Sequence, residues 1–336
     1  MKTILVTGGL GYIGSHTVIE LLENNYNVVV IDNLSNSKIE VLEKIEKITG
    51  NTPKFYDGDV RDAGKLDQIF TENKIDSVIH FAGLKAVGES CEQPIKYYDN
   101  NLTGTINLIK AMKAHDCKNF VFSSSATVYG EKNPIPYIET YPTTGVSPYG
   151  QTKKMVEDIF IDICKTDKEW SVALLRYFNP IGAHKSGLIG EDPKGTPNNL
   201  FPYIGKVAVG ELPYLNVWGN DYDTIDGTGV RDYIHVVDLA QGHIAALKHI
   251  LDNKELLILN LGSGKGTSVL EIIHSFEKAS GKKIQYKIGP RRPGDIGEYY
   301  AATQKAKEIL GWETKLDIDD MCRDGWRYFF QEHKPH

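Results

Sequence analysis

Short apolar runs alternate with stretches of helical spacing along the first half of the chain. Most residues within a run are apolar, rather than every second one, and the runs cover residues 2–6, 28–31, 77–81, 120–122 and 171–175. Continuous apolar runs of this length are typical of strands that are buried on both faces of a sheet. The pattern therefore predicts parallel strands covered by helices on both sides.

Between these runs, apolar residues recur at intervals of three. Ile39, Leu42, Ile45 and Ile48 follow this spacing, and so do residues 106, 109 and 112. We expect each set to share one face of a helix. Strands that alternate with helices in this way indicate an α/β fold, a Rossmann-type doubly wound parallel sheet.

The alternation weakens after about residue 178. Glycine and proline crowd residues 180–202, and the later apolar segments are shorter. We predict a dinucleotide-binding domain over residues 1–178 and a smaller mixed α/β lobe over residues 179–336. The chain is expected to return to the first sheet somewhere near residues 230–262.

Composition narrows the possible partners and compartments. The 336 residues carry 38 basic and 44 acidic side chains, a net charge of −6. This balance argues against nucleic-acid binding, which needs a basic surface. Apolar runs all stay well below 18 residues, so we expect no membrane span and no secretory signal. The four cysteines are scattered without a C-x-x-C pair, which favours a reducing, cytoplasmic location.

A glycine-rich segment, TGGLGYIG at residues 7–14, follows the first predicted strand and opens the first predicted helix. In this context Gly8 or Gly9 permits a tight turn, Gly11 lets the backbone approach a pyrophosphate, and Gly14 permits close packing of helix and strand. Asp32 follows Gly14 by 18 residues, at the end of the second strand. A carboxylate there accepts hydrogen bonds from ribose hydroxyls and repels a 2′-phosphate, which favours NAD over NADP.

The segment SPYGQTK at residues 147–153 places Tyr149 and Lys153 four residues apart, on one helix face. About one free tyrosine in a thousand is ionised at pH 7, and a neighbouring ammonium favours the phenolate. The pair can therefore take a proton from a hydroxyl group. Ser125, at the end of a predicted strand, is a candidate to bind the same hydroxyl. We expect Ser123 and Ser124 to satisfy backbone groups instead.

Other motifs carry no function. A stretch beginning at Asp99 faintly resembles a calcium loop, but its twelfth position is Lys110 rather than glutamate. The histidines show no paired metal spacing, so no metal is predicted. His80 lies within an apolar run, and we interpret it as a core histidine with its hydrogen bonds satisfied.

Taken together, these features resemble the extended short-chain dehydrogenase/reductase family, and most closely its nucleotide-sugar epimerases. Further strings carry the resemblance: HFAGLKAVGES at 80–90, YYDNN at 97–101, RYFNP at 176–180, PNNL at 197–200, GVRDYIHV at 229–236 and PRRPGD at 290–295. The resemblance covers nearly the whole chain.

The resemblance implies roles for individual residues. The implied catalytic residues are Ser125, Tyr149 and Lys153. The implied NAD contacts are Gly8, Gly11, Tyr12, Ile13, Gly14, Asp32, Asn33, Asn36, Asp59, Val60, Phe81, Ala82, Lys85, Asn100, Tyr149, Lys153, Tyr177 and Phe178. The implied contacts to the UDP-sugar are Lys85, Ser125, Tyr149, Asn179, Asn199, Leu200, Arg231, Arg292, Asp295 and Tyr299.

The resemblance also implies an activity. It is the interconversion of UDP-glucose and UDP-galactose, by transient oxidation at C4 with tightly bound NAD and rotation of a 4-keto sugar, in a cytoplasmic homodimer. A related NAD-dependent dehydratase, decarboxylase or dehydrogenase is the alternative. Dehydratases of the family place acidic residues directly after the active-site serine, whereas Ala126 and Thr127 stand there in this chain. A tyrosine at position 299 implies exclusion of N-acetylated sugars.

Overall fold

A computed structural model describes residues 1–130, 133–194, 197, 199–292 and 295–332. Its strands are β1 (Thr3–Thr7), β2 (Asn27–Asp32), β3 (Lys54–Asp57), β4 (Ser77–His80), β5 (Asn119–Ser125), β6 (Ser171–Tyr177), β7 (Asn179–Ile181), β8 (Leu215–Trp218), β9 (Val230–His235), β10 (Leu256–Leu261), β11 (Gly266–Ser268), β12 (Tyr286–Gly289) and β13 (Glu298–Tyr299).

The helices follow the same chain order. They are α1 (Tyr12–Glu23), α2 (Val41–Thr49), α3 (Ala63–Glu72), α4 (Val87–Glu92), α5 (Pro94–Tyr98), α6 (Gly104–Ala114), α7 (Pro148–Thr166), α8 (Leu200–Ala208), α9 (Val236–Asp252), α10 (Val269–Ser280), α11 (Gln304–Leu310) and α12 (Ile318–Glu332). A π-helical turn, Asp99–Thr103, joins α5 to α6, and a 3₁₀ turn, Ala126–Val128, follows β5.

In the described part of the chain, seven parallel strands form one sheet in the order β10-β6-β5-β4-β1-β2-β3. One hydrophobic core lies between this sheet and α1 and α9, and a second lies on the opposite face with α3, α6 and α7. The central strands are therefore buried on both sides, as their continuous apolar sequences require. The predicted α/β class with a doubly wound parallel sheet is confirmed.

Some predicted elements differ from the structure. Helix α2 begins at Val41, so Ile39 lies before it and is 43% exposed instead of sharing its buried face. Ile106 is also exposed, although Met112 on the same helix is buried. Strand β3 was not predicted, because it is an edge strand whose sequence, KFYD, has polar ends and partly exposed aromatic residues.

Residues beyond 179 contribute both to this sheet and to a separate layer. Strand β10 pairs with β6 in parallel, and α9 packs against α1. The remaining elements surround β9, which pairs with β7, β11 and β13, while β8 pairs with β12. A third hydrophobic core joins this region to α8, α10 and α12. The division at residues 178 and 179 stays a prediction.

Across the described residues, none of the helices combines the length and the apolar character that crossing a bilayer requires. Asn198, Pro293 and Gly294, which belong to strings that carry the family resemblance, lie outside the described residues.

Candidate functional site

The carboxyl ends of the parallel strands meet at one edge of the sheet, and predicted site residues lie along it. Asp32, Ser125 and Tyr177 are the last residues of β2, β5 and β6, and the glycine turn follows β1 directly. Ligands of doubly wound sheets bind at this edge. The topology thus brings together residues that are far apart in sequence.

The glycine turn between β1 and α1 has no room for side chains. Gly8 adopts a left-handed conformation with φ of 67°, and a Cβ there would lie 2.8 Å from the Ala82 amide nitrogen. A Cβ on Gly14 would lie 2.2 Å from the Gly8 carbonyl oxygen. Side chains at these glycines therefore do not cover the backbone at the start of α1, where the first amides have no acceptor within the helix. Such a helix N-terminus fits a pyrophosphate group.

Asp32 is buried and organises the adjoining loop. Its Oδ1 accepts hydrogen bonds from the Leu34 amide (2.9 Å) and the Ser37 hydroxyl (2.7 Å), and its Oδ2 accepts one from the Leu10 amide (3.0 Å). Since each carboxylate oxygen can accept two hydrogen bonds, Oδ2 retains acceptor capacity for a ribose hydroxyl. The carboxylate therefore fits the role expected of it beside a dinucleotide.

The expected adenine side is formed by the loop after β3. Asn33 donates to Asp59 (3.0 Å), which also pairs with Arg61 (2.9 Å). Hydrogen bonds from Arg61 lower the pKa of Asp59 to about 2. The next residue, Val60, is buried. The predicted Asn36 lies nearby, where its side-chain oxygen accepts from the Lys194 amide at 3.3 Å.

Tyr149 and Lys153 lie on the first turns of α7, which begins at Pro148 as predicted. Ser147 caps the helix by accepting from the Gly150 amide (3.1 Å). Burial raises the pKa of Tyr149 to about 12, and an interaction with the Ser125 hydroxyl opposes this rise. The phenol and the serine hydroxyl therefore face the same space at the sheet edge.

Lys153 is buried, with 8% of its surface exposed. Its Nζ donates to the Ser123 carbonyl oxygen at 2.6 Å and lies 4.8 Å from the centre of the Phe122 ring. Burial lowers the pKa of Lys153 to about 8, and the Glu157 carboxylate, one turn along α7, opposes that effect. The ammonium thus points to the β5 backbone, 5.9 Å from the centre of the Tyr149 ring.

The roles expected of Ser123 and Ser124 were wrong. The Ser123 hydroxyl contacts the Tyr177 hydroxyl, and Ser124 donates to Glu157 at 2.5 Å. Glu157 also accepts from Arg176 (2.6 Å) in an ion pair that is almost fully buried. Adjacent serines point to opposite faces of a strand, so each meets a side chain from another element rather than the local turn.

His80 is the satisfied core histidine that the sequence predicted. Its ring nitrogens contact the hydroxyls of Thr7 (2.6 Å) and Thr105 (2.9 Å). Burial lowers the pKa of His80 to about 3, so the ring is neutral at physiological pH. Among the described residues, His, Cys, Asp and Glu side chains nowhere form a group of three suited to a metal ion.

A group of aromatic and polar residues lies at the expected sugar position. Tyr299 donates to the Asn179 side-chain oxygen at 3.2 Å, and its ring lies 5.7 Å from that of Phe178. The Arg231 guanidinium lies 4.8 Å from the centre of the Tyr299 ring and donates to Asp295 at 2.9 Å. The four implied UDP-sugar contacts in this group, Asn179, Arg231, Asp295 and Tyr299, therefore come from three different strands and a loop.

The other predicted site residues lie in neighbouring parts of the fold. Phe81 packs on the ring of His243 (4.9 Å), Asn100 donates to Asn101 (3.0 Å), and the Tyr12 hydroxyl donates to the Gly182 carbonyl oxygen (2.7 Å). Ile13 packs against the first core and Ala82 against the second. Leu200 begins α8.

Three neighbours of the predicted residues were missed. Glu157 accepts a hydrogen bond from Ser124 of β5, Glu191 accepts from both Lys85 and Asn199, and Trp218 lies 5.1 Å from the Arg292 guanidinium. Glu157 follows Lys153 by one helical turn, which is the only one of these relations that sequence spacing could have indicated. The other two depend on contacts between distant segments.

Comparison with known proteins identifies the family. A family model described as GDP-mannose 4,6 dehydratase matches residues 5–325. The UDP-glucose 4-epimerase of Bacillus subtilis is 58% identical over 97% of this chain and 96% of its own length. A bifunctional UDP-glucose 4-epimerase and UDP-xylose 4-epimerase of Pisum sativum is 55% identical over 97% of this chain and 95% of its own length.

The chain belongs to the UDP-glucose 4-epimerase family.

A solved member of the family has nearly the same structure. The Bifidobacterium longum UDP-glucose 4-epimerase, crystallised with NAD+ and UDP, superposes with a TM-score of 0.95 at 55% identity and 99% coverage of both chains. The predicted membership in the extended short-chain dehydrogenase/reductase family is confirmed. The epimerase interpretation is favoured over the dehydratase, decarboxylase and dehydrogenase alternatives.

Proposed function

We propose that this protein interconverts UDP-glucose and UDP-galactose with bound NAD. The observation that carries the proposal is the placement of Ser125 at the carboxyl end of β5 beside Tyr149 on the first turn of α7, with Lys153 one turn further along that helix. Ala126 and Thr127, which follow the serine, offer no carboxylate for the elimination that a dehydratase performs. Membership in the epimerase family supports the same conclusion.

The chain offers a fitting site for NAD. The bare turn formed by Gly8, Gly11 and Gly14 would hold the pyrophosphate, with Tyr12 and Ile13 beside it. The other residues that would hold the cofactor are Asp32, Asn33, Asn36, Asp59, Val60, Phe81, Ala82, Lys85, Asn100, Tyr177 and Phe178. When bound, NAD supplies the hydride acceptor and donor for C4 of the sugar.

Tyr149 acts as the base that takes the proton from the sugar 4-hydroxyl, and Ser125 binds the same oxygen. The pKa of about 12 means that Tyr149 is protonated in the unliganded protein at neutral pH. Nearby positive charge favours the phenolate, and Lys153, with a pKa of about 8, is mostly charged at pH 7. The charge of Lys153 thus favours the phenolate form of Tyr149. The hydrogen bond from Lys153 to the Ser123 carbonyl oxygen fixes the position of the ammonium.

The second layer holds UDP and leaves the sugar free to turn. Arg231 and Arg292 offer guanidinium groups to a diphosphate, with Asn199, Leu200 and Asp295 beside them. Firm binding of UDP keeps a 4-keto sugar in the site while it rotates and presents its other face. Inversion at C4 then needs no further residue.

Tyr299 restricts the sugar pocket. Its ring contacts Phe178 and the Arg231 guanidinium, and its hydroxyl donates a hydrogen bond to Asn179. An acetamido group at C2 clashes with a ring held in this way. We expect a strong preference for UDP-glucose and UDP-galactose over their N-acetyl counterparts, and Tyr299→Cys should raise turnover of UDP-N-acetylglucosamine. Comparable wild-type turnover of both sugar classes would exclude this role for Tyr299.

The proposal includes a cytoplasmic homodimer. Ile95, Ile106 and Met155 expose apolar surface on α5, α6 and α7, and α5 packs against α7. All four cysteines are free thiols, which suits a reducing compartment. Light scattering of the purified protein tests the dimer: a mass of twice 37.5 kDa is expected, and a monomeric mass excludes it.

Tyr149→Phe tests the assigned chemistry. Loss of the phenolic oxygen removes the general base, so conversion of UDP-galactose to UDP-glucose should fall by about 10²- to 10⁴-fold while NAD and UDP binding persist. Tyr286→Phe is the matched control, since Tyr286 is an exposed residue of β12. Turnover of Tyr149→Phe within threefold of the wild type would refute the assignment.

A further inference from the structure

Glu191 is a buried acid outside the set of residues to which the family resemblance assigns a role. It lies between β7 and α8 and is only 6% exposed. Its Oε1 accepts hydrogen bonds from Lys85 Nζ at 3.1 Å and from Asn199 Nδ2 at 2.7 Å. Lys85 follows β4 at the sheet edge, and Asn199 is the residue that precedes α8. One carboxylate oxygen therefore joins two segments that are 114 residues apart in sequence (199 − 85).

The charge of the same carboxylate also affects a third segment. It contributes to raising the pKa of Tyr12, after burial, which is the larger cause. Tyr12 begins α1 directly after the bare glycine turn, so the electrostatic influence of Glu191 extends to the start of that helix. Within the described residues, Glu191 Oε2 is buried and has no hydrogen-bond partner.

Stability alone gives a poor account of this arrangement. A buried carboxylate is costly unless it is paired and its oxygens are filled. Among the described residues, Lys85 is the cation paired with it, and half of the Lys85 side chain is exposed, so solvent screens the attraction that would offset burial of the carboxylate. The residues that Glu191 binds or influences, in contrast, are all assigned to ligands: Asn199 to UDP, Tyr12 to NAD, and Lys85 to NAD and also, by the family resemblance, to the UDP-sugar.

We propose that Glu191 is a positioning residue that couples the NAD site to the UDP site, an inference that rests on the proposed function. By binding Lys85 and Asn199 through one oxygen, it holds the ammonium and the amide in fixed relative positions. A ligand that orders Lys85 on the cofactor side then orders Asn199 at the head of α8, because both donors share an acceptor. Binding of NAD thereby raises the affinity for UDP, and binding of UDP raises the affinity for NAD.

Glu191→Ala, Glu191→Gln and Asp192→Ala test the coupling. Asp192 is the neighbouring exposed acid, paired with Lys38, and serves as the control. Each variant is purified with its native cofactor, its NAD content is measured, and its affinity for UDP is determined by calorimetry per NAD-loaded molecule. Kinetics with UDP-galactose give KM and kcat, and melting curves report folding.

Glu191→Ala should weaken UDP binding and raise KM by about 10-fold, as expected for losing charge-assisted hydrogen bonds, with kcat changed less than threefold. Glu191→Gln keeps an acceptor oxygen and should recover most of the affinity, whereas Asp192→Ala should match the wild type. In a double-mutant cycle, Lys85→Met and Glu191→Ala should be non-additive for UDP affinity.

The outcomes separate this inference from the proposed function. If wild-type protein binds UDP but Glu191→Ala binds it within twofold of the wild-type affinity, the coupling role is wrong and the function stands. The same holds if Glu191→Ala lowers only the melting temperature, because a merely structural residue would leave UDP affinity per loaded molecule unchanged. If the wild type itself fails to bind UDP, the proposed function fails.

Discussion

Lys153→Met should make the protein more stable while it abolishes efficient turnover. Lys153 is buried, and its pKa falls from the ordinary value of 10.5 to about 8 because burial disfavours the ammonium. At about 1.4 kcal/mol per pH unit, this lowering corresponds to about 3 kcal/mol of unfolding free energy lost at pH 7. Methionine has a similar length and carries no charge, so the substitution relieves that cost.

Part of this gain is offset. The variant loses the 2.6 Å hydrogen bond from Nζ to the Ser123 carbonyl oxygen, worth about 1 kcal/mol, whereas the attraction to Glu157 is already contained in the pKa of about 8. The net stabilisation is therefore about 2 kcal/mol, which corresponds to a rise in melting temperature of roughly 3 °C for a chain of this size.

The gain should depend on pH in a defined direction. Between pH 8 and 10.5 the unfolded chain keeps the Lys153 proton while the folded protein releases it, so wild-type stability rises with pH through this window. The advantage of Lys153→Met should be complete below pH 8 and should vanish towards pH 10.5. Its activity should also appear only at higher pH than that of the wild type, because the charge that favours the Tyr149 phenolate is gone.

Thermal unfolding of NAD-stripped wild type and variant at pH 7 and pH 10 measures this difference. Lys154→Met is the matched control: Lys154 is the next residue, partly exposed and paired with Asp158 at 2.6 Å, so its loss should change stability by about 0.5 kcal/mol or less. A Lys153→Met protein that is less stable than the wild type at pH 7, or whose advantage is independent of pH, would refute the reasoning.

Two further substitutions test the architecture of the site. Gly14→Ala should abolish retention of NAD, because the new Cβ would lie 2.2 Å from the Gly8 carbonyl oxygen. Retention is measured as the cofactor released on denaturation. Gly88→Ala is the control and should retain NAD, because the space around Gly88 is open. Asp232→Ala should lower the free energy of unfolding by about 3 kcal/mol or more in denaturant titrations, because it removes the acceptor from the buried Ala301 amide and the partly buried amides of Ser263 and Gly264. Asp223→Ala, at an exposed position, should have little effect.

Local signals in the sequence were enough to predict which elements carry the central candidate residues. The glycine spacing between β1 and α1 and the Tyr149–Lys153 spacing on α7 are set within one turn or helix, and both lie where the pattern predicted. The sheet was predicted as well, since its central strands are apolar throughout. The position of Asp32 followed from its place at the end of β2.

What escaped prediction depends on contacts between distant segments. Ser123 and Ser124 are adjacent, yet one meets Tyr177 and the other Glu157, and sequence alone does not give the facing element. Edge strand β3 lacks the apolar run that marks the central strands. Glu191 lies in a segment rich in glycine and proline, where an acid is usually exposed, and its burial arises from the approach of Lys85 and Asn199.

The central claim is that the protein epimerises its substrate with a cofactor that it neither gains nor loses. The most direct measurement supplies purified protein with UDP-galactose and no added nicotinamide cofactor, and follows both UDP-glucose and the absorbance of NADH. The account predicts conversion to UDP-glucose over many turnovers with no accumulation of NADH. NADH that builds up in proportion to product would contradict it, and so would a complete dependence on added NAD consumed with the substrate.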